Sequence, residues 1–356
     1  MMNCLTCFLG GASPSGFRTH FGEYIADPAF HTYIIKGGPG TGKSSLMKRL
    51  AEAFPDEKKE IYHCSSDPDS LDAVIFLEHK TIFVDGTAPH CFDPEYPGAV
   101  QQILDLGAYW DESSLRKAKE GIISATADYL QYHARCRRYI TALAAVSGDT
   151  AQIGENALDS EKLEGFIGRF SKKVLPKKQS DAEGKLSFRQ LSALTPKGYM
   201  TNVPEGYTAY LLNDRFYAGS EKFLREFTDI AIKKGYDVSV SLCTLHNEDA
   251  FEHILVPELK IAIFSANPIN SLVISAKQPI NFKRFYDKNI VAAKKSRIKF
   301  NESAAKNLLT EAVSSLVNAK AEHDGLEAYY IDAVDFDSIN RLCYSLISKI
   351  SGESAE

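Results

Sequence analysis

"HTYIIKGGPGTGKSSLMKRL" occupies residues 31–50 and carries three patterns in succession. "TYIIK" at 32–36 is a β-branched and aromatic run, "GGPGTGK" is a glycine-rich turn, and from Ser44 onward "SSLMKRLAEAF" repeats apolar residues at helical spacing. Strand, loop and helix therefore frame Gly37, Gly42, Lys43 and Ser44 in the pattern G-x-x-x-x-G-K-[ST]. Glycines let such a loop curl until its backbone N–H groups converge, and the following helix adds the positive end of its dipole. The run Gly37, Gly38, Pro39, Gly40, Thr41, Gly42, Lys43, Ser44 and Ser45 is thus expected to cradle phosphate, with Lys43 reaching the β- and γ-phosphates and Ser44 ligating Mg2+.

A carboxylate ligand to the metal shell belongs at the end of a buried strand. "TIFVDGTAPH" places Asp85 there, after the strand Thr81 to Val84; a turn aspartate in "DGT" is the alternative reading. Between the two motifs, Glu60 to Cys64 reads as a strand and Ser65 to Asp72 as a polar loop leading into a short helix. Asp67, Asp69 and Asp72 cluster in it. Asp67 is a candidate to orient water or act as a base, with helix capping by Ser66 and Asp67 ahead of Pro68 as the structural alternative. The pairs His63-Cys64 and His90-Cys91 follow two strands and could meet at a metal, although packing or substrate contact is the simpler expectation. Gly86 follows Asp85 where many ATPases carry a water-activating acid, and no N-K-x-D sequence is present to read guanine, so ATP is the expected nucleotide.

The framework recurs. Adding 177 to each number sets His31–Leu50 over Thr208–Phe227, "HTYIIK" over "TAYLLN" and "SSLMKRL" over "EKFLREF". "SPSGF" at 13–17 matches "TPKGY" at 195–199, Cys64 falls over Cys243, and "YWD" at 109–111 falls over "FYD" at 285–287. The copy has lost the phosphate chemistry: Gly37 becomes Asp214, Lys43 becomes Ser220, Ser44 becomes Glu221 and Asp85 becomes Ser265. A carboxylate in such a loop repels triphosphate. Long helical stretches at 112–146 and 301–334 read as hairpins appended to each core, and Arg135, Arg137 and Arg138 on the first are candidates for an arginine finger or for a solvated basic face.

The expected architecture is α/β: two tandem P-loop NTPase-like domains, each a three-layer α/β/α unit with a mainly parallel sheet. The active domain covers 1–170 with its helical appendage from about 112, a linker covers 171–192, and the degenerate domain covers 193–356 with its appendage at about 285–350. The repeated S/T-P-x-G-F/Y motif, "YIIKGGPGTGKSSLMKRL", "HCSSDPDSLD" and "VDGTAPH" together resemble a prokaryotic family of tandem-duplicated P-loop ATPases, or nucleotide-kinase-like proteins. That resemblance implies a P-loop fold in both halves and names no substrate. Members commonly carry a phosphate loop in both halves, from which Ser220 and Glu221 depart.

Composition sets the remaining bounds. A net charge of -5 does not favour a nucleic-acid surface, seven cysteines form no disulfide framework, and Cys4 and Cys7 make a lone CxxC. No apolar run reaches the roughly 18 residues needed to cross a bilayer, and the N-terminus lacks a basic region, so the expectation is a cytoplasmic protein. The expected function is Mg-dependent ATP binding and hydrolysis at Lys43, Ser44, Asp85 and Asp67, with the second half silent. A small-molecule or nucleotide kinase and an ATP-dependent switch that binds a protein partner are the alternatives.

Overall fold

A computed structural model describes residues 4–178 and 182–352. Two six-stranded mixed sheets form its centre. The first contains β1 (Cys4–Phe8), β4 (His31–Lys36), β5 (Lys59–His63), β6 (Leu71–Phe76), β7 (Thr81–Asp85) and β8 (Gln101–Asp105), in the order β1-β5-β6-β7-β4-β8. The second contains β9 (Leu186–Phe188), β12 (Thr208–Asn213), β13 (Val238–Leu242), β14 (Phe251–Val256), β15 (Ile261–Ala266) and β16 (Gln278–Asn281), in the same order with corresponding members. Each is parallel except for one reversed strand, β6 or β14. Small hairpins accompany them: β2 (Gly11–Ser13) with β3 (Gly16–Arg18), and β10 (Ser192–Thr195) with β11 (Gly198–Thr201).

The reversed strand corrects one expectation. Leu71–Phe76, where a short helix was expected, is extended and buried along its whole length. The signals at Ser66, Asp67 and Pro68 belong to a turn, in which the Ser70 N–H and hydroxyl both donate to Asp67. The apolar run "AVIF" then has a partner on each side, which helical capping cannot provide.

Strand alternation explains the layers. In the first sheet Tyr33, Ile35, Val74, Phe76 and Phe83 face the helix α2 (Lys43–Ala53), whereas Ile34, Ala73, Ile75, Ile82 and Val84 face the other way. In the second, Tyr210, Leu212, Ile254 and Ile263 face α6 (Ala218–Lys233), and Ala209, Leu211, Leu255, Ala262 and Phe264 point back. The two inward sets form one core, so sheet packs on sheet. The expected three-layer units are replaced by four layers, helix, sheet, sheet, helix. Strands apolar on both faces reveal that both are covered, not by what.

The helices are also shared. Beyond α1 (Gly22–Ile25), the short α3 (Glu112–Lys117) and α7 (Lys288–Ala293) lead into α4 (Lys119–Ala157) and α8 (Lys295–Ile331), single long helices that pack together where hairpins were expected. After α4, α5 (Ser160–Val174) lies on α6 in the second half's core; after α8, α9 (Phe336–Ser351) lies on α2 in the first half's. Paired backbone bonds fix both crossings: Asp111 N–H donates to Ala333 and Asp335 N–H to Tyr109, while Asp287 N–H donates to Ala157 and Asp159 N–H to Phe285. The stretch expected as a linker at 171–192 includes the end of α5 and all of β9, which pairs with β13. No described helix is long and apolar enough to cross a membrane.

Candidate functional site

Chain connections diverge at the carboxyl ends of β4 and β7, the topological crevice of an α/β sheet. From β4 the chain passes through α2 to β5, beyond β7 and β6; from β7 it goes to β8 on the opposite side of β4. Neighbouring strands whose connections diverge leave room for a ligand between them. The glycine-rich loop Gly37–Gly42 lies at this point, with Gly40 at φ 68 and Gly42 at φ 83, a left-handed conformation that glycine adopts without steric cost.

Lys43 begins α2, and its ammonium donates back to the carbonyls of Gly37 (2.8 Å) and Gly38 (2.7 Å). It stands 3.7 Å from Asp85 Oδ2. Register places Asp85 opposite Ile35, one residue before the end of β4. The other oxygen of Asp85 accepts from the Thr87 N–H (2.8 Å) and hydroxyl (2.5 Å), which orients the carboxylate toward Lys43. Ser44 Oγ accepts from the Leu71 N–H at 3.0 Å, so the first residue of β6 touches the loop; Ser45 is exposed. Thr41 closes the turn by donating to the Gly38 carbonyl. Among the described residues, the N–H groups of Gly40, Thr41, Gly42, Lys43 and Ser44 find no acceptor.

Asp67 lies at the crevice edge, half-buried, with Lys320 Nζ from α8 at 3.6 Å. Asp69 is exposed and paired with Lys197. Asp72 is different: it is buried in β6, and burial, followed by the nearby Asp85 carboxylate, pushes its acid up to about 8. The turn after Asp85 brings His90 back over both, with the His90 N–H donating to Thr87 and Nε2 lying 3.8 Å from Asp72 Oδ2. His90 therefore meets carboxylates and not the His63-Cys64 pair as a quartet, although the Cys64 thiol itself hydrogen-bonds to Asp72. Cys91 is exposed.

The second half contributes directly. A Cβ on Gly38 would stand 2.8 Å from the Tyr330 ring, and one on Gly40 would stand 2.8 Å from the Glu327 carbonyl oxygen, so the last turns of α8 rest on the loop. Arg135, Arg137 and Arg138 are exposed on α4, the first stacked on Tyr132, and among the described residues none forms an ion pair with the loop. Lys320 is the cation that reaches the crevice from a long helix. Glu327 and Tyr330 escaped sequence reading because their role depends on the crossing of α8; a lone acid inside "LDAVIF" was the signal for Asp72.

The corresponding loop in the second half borders a cavity of about 630 Å³, and its N–H groups are engaged by its own side chain. Asp214, 1% exposed, accepts from the N–H groups of Phe216 (3.0 Å) and Ser220 (2.7 Å) and from the Tyr286 hydroxyl (2.8 Å). That hydroxyl accepts in turn from the Gly219 N–H. Burial pushes the Asp214 acid above its ordinary value, and these donors oppose the rise. Scans against family models, curated proteins and solved structures find no match to the chain.

Proposed function

We propose that the first half is a P-loop that binds Mg-ATP and hydrolyses it, and that the second half is a pseudo-ATPase domain. The observation that carries this reading is the loop pair. At the start of α6 the N–H groups close on the carboxylate of Asp214, whereas at the start of α2 they have no acceptor among the described residues and Lys43 is at hand. The chemistry of such a site favours an anion from outside.

The residues also suit a cation. Ser44 Oγ accepts one hydrogen bond and retains a lone pair, and among the described residues Asp85 Oδ2 has Lys43 as its ion-pair partner and accepts no hydrogen bond. These two would hold Mg2+, which neutralises charge on the β- and γ-oxygens when bound. Lys43 exchanges its carbonyl partners for phosphate, the glycine N–H groups fix the triphosphate, and the α8 end beside Gly38 and Gly40 limits access of bulk water. Asp67, already held by Ser70 and Lys320, is placed to orient a water or an acceptor hydroxyl.

ADP release by the wild type and by Lys43→Ala, with and without a metabolite pool, tests the proposal. Wild-type turnover that the substitution reduces at least about 100-fold is expected; equal binding and turnover in the two proteins would refute it, and acceleration by the pool would convert it to a kinase. The seating of α8 on the loop favours a second reading, in which nucleotide shifts that helix and a protein partner senses the change. Tight binding with negligible turnover, together with nucleotide-dependent protection of α8 in hydrogen exchange, is the outcome that selects it.

A further inference from the structure

We infer that Asp72, Asp85 and His90 form a binding site for a divalent transition ion, of the Mn2+, Co2+ or Zn2+ class, that fills without nucleotide. One oxygen of each carboxylate and one imidazole nitrogen lie within 4.8 Å of one another, and the pair His90 Nε2 and Asp72 Oδ2 is separated by 3.8 Å. Metal bonds of about 2.0–2.2 Å put neighbouring ligand atoms roughly 3–4 Å apart, so a small inward rotation of Asp85 completes the triangle. Two oxygens and an imidazole suit borderline ions better than Mg2+, which prefers oxygen alone.

His90 supplies the independent observation. It is 6% exposed, yet among the described residues neither ring nitrogen makes a hydrogen bond: Nδ1 is buried and unpartnered, and Nε2 looks toward Asp72 at a distance too long for one. A buried imidazole left this way is costly unless something else engages it.

The second half shows what the same positions look like when closed. An offset of 180 relates the strand pair Ala73–Val84 to His253–Phe264, and it carries Asp72, Asp85 and His90 onto Glu252, Ser265 and Asn270. There the Asn270 amide donates to Glu252 at 3.2 Å and the Tyr199 hydroxyl donates to its other oxygen at 2.7 Å. The polar set satisfies itself, and the imidazole beside it, His253 with Nε2 3.8 Å from Glu252 Oε2, has both ring nitrogens engaged, by Ser192 Oγ and the Ser265 N–H. In the first half Phe17, a ring without a hydroxyl, lies 5.2 Å from His90, and the Cys64 thiol takes the part of a donor to Asp72 in place of the Tyr199 hydroxyl and the Asn270 amide. Among the described residues, Lys43, 3.7 Å from Asp85, is the cation that opposes the site.

Metal-stripped, nucleotide-free full-length chain is titrated with Co2+, whose visible spectrum separates imidazole–carboxylate from thiolate ligation. The expected result is one Co2+ per chain with an imidazole–carboxylate spectrum, weakened on the order of 100-fold by His90→Gln and by Asp72→Asn and retained or tightened by Lys43→Ala. Absence of nucleotide-free binding, a thiolate spectrum, or affinity unchanged by both His90→Gln and Asp72→Asn overturns the inference. Should either variant fail to fold, pulsed EPR of the wild type loaded with Mn2+ decides: coupling to an imidazole nitrogen supports the site, and its absence overturns it. Because Lys43→Ala disables the proposed nucleotide site and spares this one, the two readings fail separately.

Discussion

The start of α2 and the start of α6 are the same construction resolved in two ways. Both follow a buried parallel strand, and both present helix N–H groups to a single point. At α6 the point is taken by Asp214, with Tyr286 beneath it; at α2 glycines replace the carboxylate and a lysine stands opposite Asp85. A helix terminus needs an anion, and the two halves differ in whether the chain provides its own. The carboxylate of Asp214 in the copy is thus a gain of internal structure.

Moving the carboxylate breaks the comparison most sharply. Gly37→Asp would install the second half's solution in the first, and ATP affinity measured by calorimetry is expected to fall by about 4 kcal/mol, roughly 1,000-fold. The reverse deletion acts on stability. Asp214→Ala leaves the N–H groups of Phe216 and Ser220 and the Tyr286 hydroxyl without their acceptor, and urea unfolding is expected to show a loss of about 2–4 kcal/mol. A smaller effect, about 1–3 kcal/mol, is expected for Gly40→Ala, because φ 68 disfavours a side chain and the Glu327 carbonyl is in its way.

The last contrast is one of pH. His253 is buried in β14 where the first half has Ala73; its Nδ1 accepts from the Ser265 N–H and its Nε2 pairs with Ser192 Oγ, so the ring is neutral. Burial holds it at about 3, below the ordinary 6.5, and the unfolded chain takes up a proton that the folded chain refuses. Its stabilising contribution is whole above about pH 6.5 and is lost as pH falls toward 3, at up to about 1.4 kcal/mol per pH unit. His253→Gln should flatten that slope in urea titrations at pH 4–7 and change little near neutrality.

Much of the site was legible because it is local. Strand, glycine turn and helix are contiguous at 31–53, and Asp85 closes its own strand, so spacing alone located both. The register of the copy was equally readable, since β4 and β12 carry the same burial pattern. What sequence could not supply was the identity of distant partners. An amphipathic stretch such as "FDSINRLCYSLISKIS" states that one face is buried, and nothing within it selects α2 over the nearer α6. Asp72 and His90 were visible separately; their meeting depends on a strand read as a helix start and on the turn that folds back over Asp85.

The exchange of α5 and α9 has a consequence for how the chain is made. Cys343 and Leu346 of α9 complete the core beneath β4 and β7, yet Cys343 is synthesised 290 residues after α2 ends at Ala53. At about 5–20 residues per second, the first half waits many seconds with part of its helix-facing surface uncovered before the ribosome reaches α9. The first half cannot complete this core before the second half has been made, and whatever protects the emerging chain must do so until α9 has emerged.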